Sequence, residues 1–246
     1  MPFLPNPRPD IGFRPAALVP AYRCEGSVRG VVLGLLAHVS RVLVVDDGSG
    51  DGTAREAREA GASVLPRERN GGKGSALRDG LAVLLREDVT HVAFVDGDGQ
   101  HDPEDLPRLL EAARAGADFV IGCRSVIGCR PVIGSRLDDR EGMPPKNYWA
   151  NTIGDKVLQR MTGLPVEDGQ SGYRVIDTEL LRPLRLTARG YAIENEILIK
   201  AAPRVRRFAT VPVRTIYTGT THYRPFRDTW VTSWLSVWFK TLGAGD

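Results

Sequence analysis

The stretch FVDGDGQHDPEDL, Phe94–Leu106, decides how the chain reads. The apolar run Val92–Val95 goes straight into Asp96, and a single glycine separates Asp96 from Asp98. Strand ends are where ligands bind in α/β proteins. Two carboxylates so placed repel each other unless a cation or hydrogen-bond donors sit between them. Hard divalent cations take carboxylate oxygen and keep substrate phosphates as their other partners. Asp96 and Asp98 are therefore expected to hold a metal and, through it, a diphosphate. His101 reads either as a further metal ligand or as a loop residue. Asp102 has the chemistry of a helix N-cap, with Pro103 at the first helical position and acids in the first turn.

Upstream, strand and helix patterns alternate, which is the mark of a mostly parallel sheet. AALVPA (16–21), RVLVVDD (41–47), SVLP (63–66), HVAFVD (91–96) and DFVIG (118–122) read as strands. Helical periodicity covers 27–39, 53–60 and 75–86. Each of the first four strands ends in polar, glycine-rich sequence: YRCEGS, DDGSGDGT, RNGGKGSA and DGDGQHDP. Four such endings on one sheet edge make one site. Asp46 and Asp47 read either as acceptors for a ribose or base edge or as part of a helix cap. Asn70-Gly-Gly-Lys73-Gly-Ser reads either as helix N-terminal amides suited to an anion, with Lys73 adding charge, or as a plain turn. It lacks the spacing of a P-loop.

Downstream, VIGCRS-VIGCRP-VIGSRL (120–137) repeats a six-residue unit three times, too short for a solenoid and read as a local duplication. Residues 138–146 read as a loop, 148–161 as helix, 173–177 as a strand entering a helix, 194–202 as helix and 207–217 as a strand. Asp168 and Arg174, in DGQSGYR, are candidate catalytic residues. Glu194 and Glu196 are either favourable first-turn acids or acceptor-binding groups.

The 246 residues, 42% hydrophobic and 26% charged, suit a globular protein with a substantial core. A net charge of +3 gives no argument for nucleic acid. Of 33 basic residues five are lysine, leaving 33 − 5 = 28 arginines, a residue suited to phosphate and carboxylate recognition. The three cysteines form no CxxC and no disulfide framework, so a reducing compartment is expected. The N-terminus, with five prolines in its first 15 residues, reads as an extended arm rather than a signal peptide. No apolar run approaches the ~20 residues that span a bilayer.

The ordered set VPAY, VVDDGSGDGT, NGGKGSALRDG, VDGDGQHDPEDL, DGQSGYRV, YAIENEIL and VPVRTIY resembles glycosyltransferase family 2, in its dolichol-phosphate mannose synthase and bacterial polyprenyl-phosphate glycosyltransferase branch. The likeness covers about residues 15–230. It implies a GT-A, Rossmann-like α/β fold with a mostly parallel central sheet flanked by helices. It also implies a UDP- or GDP-hexose donor, Mg²⁺ or Mn²⁺ on Asp96 and Asp98, and inversion at C1. The donor site it implies comprises Pro20, Tyr22, Glu25, Asp46, Asp47, Lys73, Asp96, Gln100, Arg124 and Arg136. Asp98, Asp168 and Arg174 are implied as catalytic, and Arg224, Glu194 and Glu196 as acceptor-binding. The chain departs from the family at Arg23-Cys24, where Asn-Glu is common and an acid follows only at Glu25. Arg124, Arg130 and Arg136 compete for one family arginine, and Thr220-Thr221 replaces a usual lysine and serine.

The expected organisation is an arm at 1–15, a catalytic domain at 16–227 and an amphipathic helix at 228–246. In that helix Trp230, Trp234 and Trp238 share one face, suited either to a membrane interface or to protein packing, including a homo-oligomer. A hexosyl transfer to a polyprenyl phosphate, at the cytoplasmic face of a membrane, is the leading expectation. A family 2 transferase with a hydroxyl acceptor, a sugar nucleotidyltransferase and a non-catalytic nucleotide-sugar binder are the alternatives. A phosphate acceptor needs little help from a base, whereas a hydroxyl needs one, and Asp168 is the candidate.

Overall fold

The computed structural model describes residues 12–124, 145–214 and 216, with the backbone alone for 145–153. The arm up to residue 11, Arg136, Arg224, the repeat beyond Arg124 and the segment 228–246 expected to be a helix lie outside the described residues.

The strands are β1 (Pro15–Ala21), β2 (Val42–Asp46), β3 (Ser63–Pro66), β4 (His91–Phe94), β5 (Phe119–Arg124), β6 (Arg174–Asp177) and β7 (Phe208–Val213). The helices are α1 (Val28–Leu36), α2 (Thr53–Glu59), α3 (Lys73–Leu84), α4 (Leu106–Arg114), α5 (Pro145–Thr162), α6 (Thr178–Leu181) and α7 (Ile193–Ala201). The seven strands form one sheet in the order β3-β2-β1-β4-β6-β5-β7. All neighbours run parallel except β6, which is antiparallel to both β4 and β5. This is the mixed, mostly parallel α/β sheet of the GT-A fold.

Alternation along the strands sends side chains to two cores, one on each face. Leu18, Leu43, Val45, Phe94, Ile121 and Ile176 pack with α3 and α7 on one face. Ala17, Val19, Val44, Val95, Val120 and Val175 pack with α1 and α4 on the other. Burial on both faces is why β1, β2 and β4 read as continuous apolar runs rather than alternating ones.

The sheet order makes β3, β2, β1 and β4 consecutive neighbours, so their four polar endings are contiguous. β4 stops at Phe94, two residues short of the expected end. Beyond it, Val95 and Gly97 still donate to the carbonyls of Leu18 and Pro20 (3.1 and 3.2 Å), so Asp96 and Asp98 leave the sheet on a tethered backbone. α3 starts at Lys73 rather than Ser75, directly after Gly72, whose φ of +86° breaks the chain direction. Asp102 caps the next turn by accepting from the Glu104 amide (3.0 Å), and Pro103–Asp105 forms a 3₁₀ turn leading into α4. Cys24 is a free thiol, and Cys123 is disulfide-bonded, a pairing that the expectation of no disulfide framework did not include. Among the described residues no helix is long and apolar enough to cross a membrane.

Candidate active site

Asp46 and Asp47, at the end of β2, both turn inward and are nearly inaccessible. Asp46 accepts from the Ser49 amide (3.2 Å) and from its hydroxyl. Asp47 accepts from the amides of Gly71 (3.0 Å) and Gly72 (2.8 Å) and pairs with Arg67. In the first turn of α3 the amides of Gly74 and Ser75 donate to the Arg189 carbonyl (2.8 and 3.3 Å). Four of the amides read as a cradle for a ligand anion are therefore engaged within the chain, those of Gly71 and Gly72 by its own Asp47. Arg67 was not singled out from sequence, although its place just after β3 on the same edge was a signal for it.

Lys73 crosses the gap between strand ends. Its ammonium lies 2.6 and 2.9 Å from the two oxygens of Asp96 and 2.6 Å from Glu194 Oε1. Burial would lower the Lys73 pKa, but the two carboxylates outweigh it and hold the ammonium well above the ordinary lysine range. For Asp96 burial acts upward, and the Lys73 ammonium outweighs it, so its carboxyl is held below the usual range. Asp98 is pushed up, by burial and then by Asp96 beside it. One of its oxygens accepts from the Gln100 amide (3.0 Å), and the Gln100 carbonyl accepts from the Ile216 amide (3.1 Å).

His101 stacks on Tyr173, with ring centroids 5.0 Å apart, and burial lowers its pKa to about 4. Its Nδ1 accepts from the Asp96 amide (3.2 Å), so the ring is neutral with its proton on Nε2, and it orients the Asp96 backbone. Gly172 presses on the same spot. A Cβ there would stand 2.9 Å from Lys73 Nζ and 3.0 Å from Asp96 Oδ2.

Among the described residues no group of three or more His, Cys, Asp or Glu side chains is arranged to hold a metal ion. The donor set still fits a hard divalent cation. Asp96 and Asp98 bring two carboxylates to one strand end, and a cation, the Lys73 ammonium, already sits on Asp96.

Asp168 and Arg124 form the second half of the site. Asp168 is buried and adopts φ +53°, one of two non-glycine residues with positive φ among those described; the other is Arg23, φ +55°. Such strain persists only where surroundings enforce it, and it clusters at functional sites. Here Asp155 on α5 enforces it, accepting from the amides of Asp168 (3.1 Å) and Gly169 (2.8 Å). Nothing in the sequence marks Asp155, an acid inside a helix. Both Asp168 oxygens take Arg124, from Nε and Nη2 at 2.6 Å each. Of the competing arginines only Arg124 lies among the described residues, and it is near enough to Asp96 to lower its pKa.

Arg174 differs from its expected catalytic role. It is among the largest fully buried side chains, and it donates to the carbonyls of Ser171 (2.8 Å), Glu194 (2.6 Å) and Gly169 (2.7 Å). It ties the Asp168 turn to α7. Glu196 differs likewise from acceptor binding. Its enclosed carboxylate accepts from the Thr187 amide and hydroxyl, the Ala188 amide and Lys200, so it fixes the loop that delivers the Arg189 carbonyl to α3. Glu194 belongs to the site through Lys73. Glu25 is half-exposed and pairs with Arg55 at 3.4 Å. Tyr22 lies under the Arg23 guanidinium, 5.3 Å from its ring centre, and Pro20 pairs in register with Val45.

The family profile "Glycosyl transferase family 2" matches residues 16–185. The chain is 33% identical to the undecaprenyl-phosphate mannosyltransferase of Micrococcus luteus, covering 71% of each protein. It is 32% identical to glycosyltransferase AglJ of Haloferax volcanii over 77% of the chain, and spans 59% of that relative's length. In shape it is similar to glucosyl-3-phosphoglycerate synthase of Mycobacterium tuberculosis, solved with Mn²⁺ and UDP-glucose. The TM-score is 0.69 at 23% identity, covering 96% of this chain and 82% of that one.

Proposed function

Because the chain belongs to glycosyltransferase family 2, in the branch resembling dolichol-phosphate mannose synthases, we propose that it moves a hexose from UDP- or GDP-hexose to a polyprenyl phosphate, with inversion at C1. The observation that carries this is the convergence of Asp46 and Asp47, Lys73, Asp96 and Asp98 on the ends of adjacent strands. Breaking the C1–O bond puts charge on the leaving diphosphate. A divalent cation held by Asp96 and Asp98, Mg²⁺ or Mn²⁺, would supply neutralisation of that charge. Lys73, once released from Asp96, would donate to the same oxygens. The loops after β1 and β2, with Pro20, Tyr22, Glu25, Asp46 and Asp47, are the proposed seat of the nucleoside, and Gln100 steadies Asp98.

The environment of Asp168 supports the lipid-phosphate acceptor. Both of its oxygens are occupied by Arg124. It is thus poorly placed to take a proton from a hydroxyl, whereas a lipid phosphate is anionic already and needs positioning rather than a base. Arg124, with Arg224 and Arg136, is proposed to guide phosphate groups. The Micrococcus relative, by its name, works on undecaprenyl phosphate. Such an acceptor places the chain at the cytoplasmic face of a membrane, and Trp230, Trp234 and Trp238 are the proposed contact.

The test is transfer of labelled hexose from UDP-glucose and GDP-mannose to polyprenyl phosphate in detergent, with Mg²⁺ or Mn²⁺, against 3-phosphoglycerate as a hydroxyl acceptor. Label is expected in the lipid, lost by a factor of about 100 or more in Asp98→Asn. Label in 3-phosphoglycerate and none in lipid would refute the acceptor assignment. Asp168→Asn separates the chemistries: a modest loss accords with a phosphate nucleophile, and a collapse of turnover with intact donor binding accords with a base.

A further inference from the structure

We propose that Lys73 is a resident counter-cation, holding Asp96 against the divalent cation until a diphosphate draws its ammonium away. The cation alone then binds weakly, and cation and diphosphate bind together. This rests on the donor site proposed above.

An ammonium has three protons to donate. Lys73 has three acceptors in reach: Asp96 Oδ1 at 2.6 Å, Asp96 Oδ2 at 2.9 Å and Glu194 Oε1 at 2.6 Å. All of its donors are thus spent, and it cannot meet a phosphate oxygen without releasing Asp96. Nor can a divalent cation approach both Asp96 oxygens while a positive charge rests on them. The two cations compete for one carboxylate.

The surroundings supply the other half of the exchange. Glu194 is 7% exposed, and its Oε2 is enclosed without a hydrogen-bond partner. A buried carboxylate oxygen left without a donor is costly. It is a second acceptor beside the first, available to the ammonium once Asp96 is given up, so Lys73 can move without leaving its countercharge. The direction of movement is limited on one side. The Gly172 backbone is so close that even a Cβ would stand 2.9 Å from Nζ. On another side stands the Tyr191 ring, 5.7 Å from Nζ and 40% exposed, which marks a route toward solvent. The stem is a flexible four-carbon chain on the first residue of α3.

A competing internal cation makes the cation and diphosphate affinities depend on one another, and the dependence is reciprocal. Mn²⁺ binding to the whole chain, read by the electron paramagnetic resonance of free Mn²⁺, tests this with and without UDP or GDP. Lys73→Met, which keeps the stem and removes the charge, is expected to bind Mn²⁺ alone about tenfold or more tightly than the parent. The gain from adding nucleoside diphosphate should shrink by a similar factor. Lys73→Gln, uncharged but still able to donate through its amide NH₂, is the second variant if methionine does not fold. Folded variants that bind Mn²⁺ alone no more tightly than the parent would overturn the proposal. The parent provides a check without mutation, since only five lysines carry Nζ resonances. The Lys73 signal should move with Mg²⁺ plus UDP or GDP and stay in place with Mg²⁺ alone; the same movement with Mg²⁺ alone would also overturn it. Cooperative uptake by the parent with unchanged Lys73 variants removes only this inference. No uptake by the parent with either nucleotide removes the donor site as well.

Discussion

Arg174→Met separates a scaffold from a catalyst. The guanidinium donates from Nε to Ser171, from Nη1 to Glu194 and from Nη2 to Gly169, at 2.8, 2.6 and 2.7 Å. Hydrogen bonds from a charged group contribute about 1.5–3 kcal/mol each. Against them stands the burial of the charge, which pulls the Arg174 pKa down to about 10, a cost of roughly 3 kcal/mol. Methionine fills most of the volume, removes that cost and takes the guanidinium's donors away from three carbonyls. The expected net loss is about 3–5 kcal/mol, the range found when one partner of a buried polar cluster is deleted. Arg174→Lys keeps the charge but cannot fork to three acceptors, so about 2 kcal/mol is expected. Urea unfolding of parent and variants at pH 7 gives the numbers, with nucleotide binding measured on the folded fraction. If Arg174→Met loses less than about 1 kcal/mol and yet abolishes transfer, the side chain acts on substrate and the structural assignment is refuted.

Gly172→Ala should fold, with a cost of about 1–3 kcal/mol for overpacking, but lose the Mn²⁺-dependent thermal shift given by nucleoside diphosphates, because its Cβ would press on Lys73 and Asp96; an undiminished shift would show that the contact yields freely. Glu196→Gln turns an amide NH₂ toward donors and should cost about 2–4 kcal/mol, with weakened nucleotide binding through the Thr187–Arg189 loop; unchanged stability in urea would count against the enclosure of that carboxylate. For Asp155, burial pushes the carboxyl up to about 6. A carboxyl raised above its unfolded value of about 3.9 takes up a proton on folding, so its contribution is present below about pH 4 and is lost as pH rises through 6, by at most about 3 kcal/mol. Asp155→Asn should remove that part of the slope of unfolding free energy between pH 4 and 7, and a parent and variant with parallel profiles would exclude it.

The strands and the acidic endings were legible because burial on both faces produces apolar runs, and because acids, glycines and lysine cluster where those runs stop. The position of β6 was not. YRVID has the same composition as a parallel core strand, and its antiparallel place between β4 and β5 follows from packing that no local pattern encodes. Site residues divided along a similar line. Asp96, Asp98, Lys73 and Asp168 stood in short polar motifs, and the structure places them on one edge. Arg174 and Glu196 stood in the same motifs, but motif membership does not distinguish a side chain that faces the ligand from one that holds up the motif. Asp155 acts across 13 residues of sequence on the Asp168 amide, a relation visible only in three dimensions. Arg67 was readable in principle, as a base beside two acids on the same edge.

A further regularity connects the two charged motifs that carry the site. Asp47 is held by Arg67 and two amides, and Lys73 by Asp96 and Glu194. Both of these groups, proposed to meet the donor, are thus already paired with an opposite charge or a dipole of the chain. Leaving them bare would be costly, since uncompensated charge at a partly dry strand edge is penalised by several kcal/mol. Pairing them within the chain means that donor binding exchanges one set of partners for another, with the backbone of Gly72, Gly97 and Gly172 already in place. Fixed dipoles that need no reorganisation are what stabilises a developing charge. The cost falls on selectivity of timing: a phosphate or a metal alone meets a site that is already neutralised, and only the two together supply what Asp96 and Lys73 each give up.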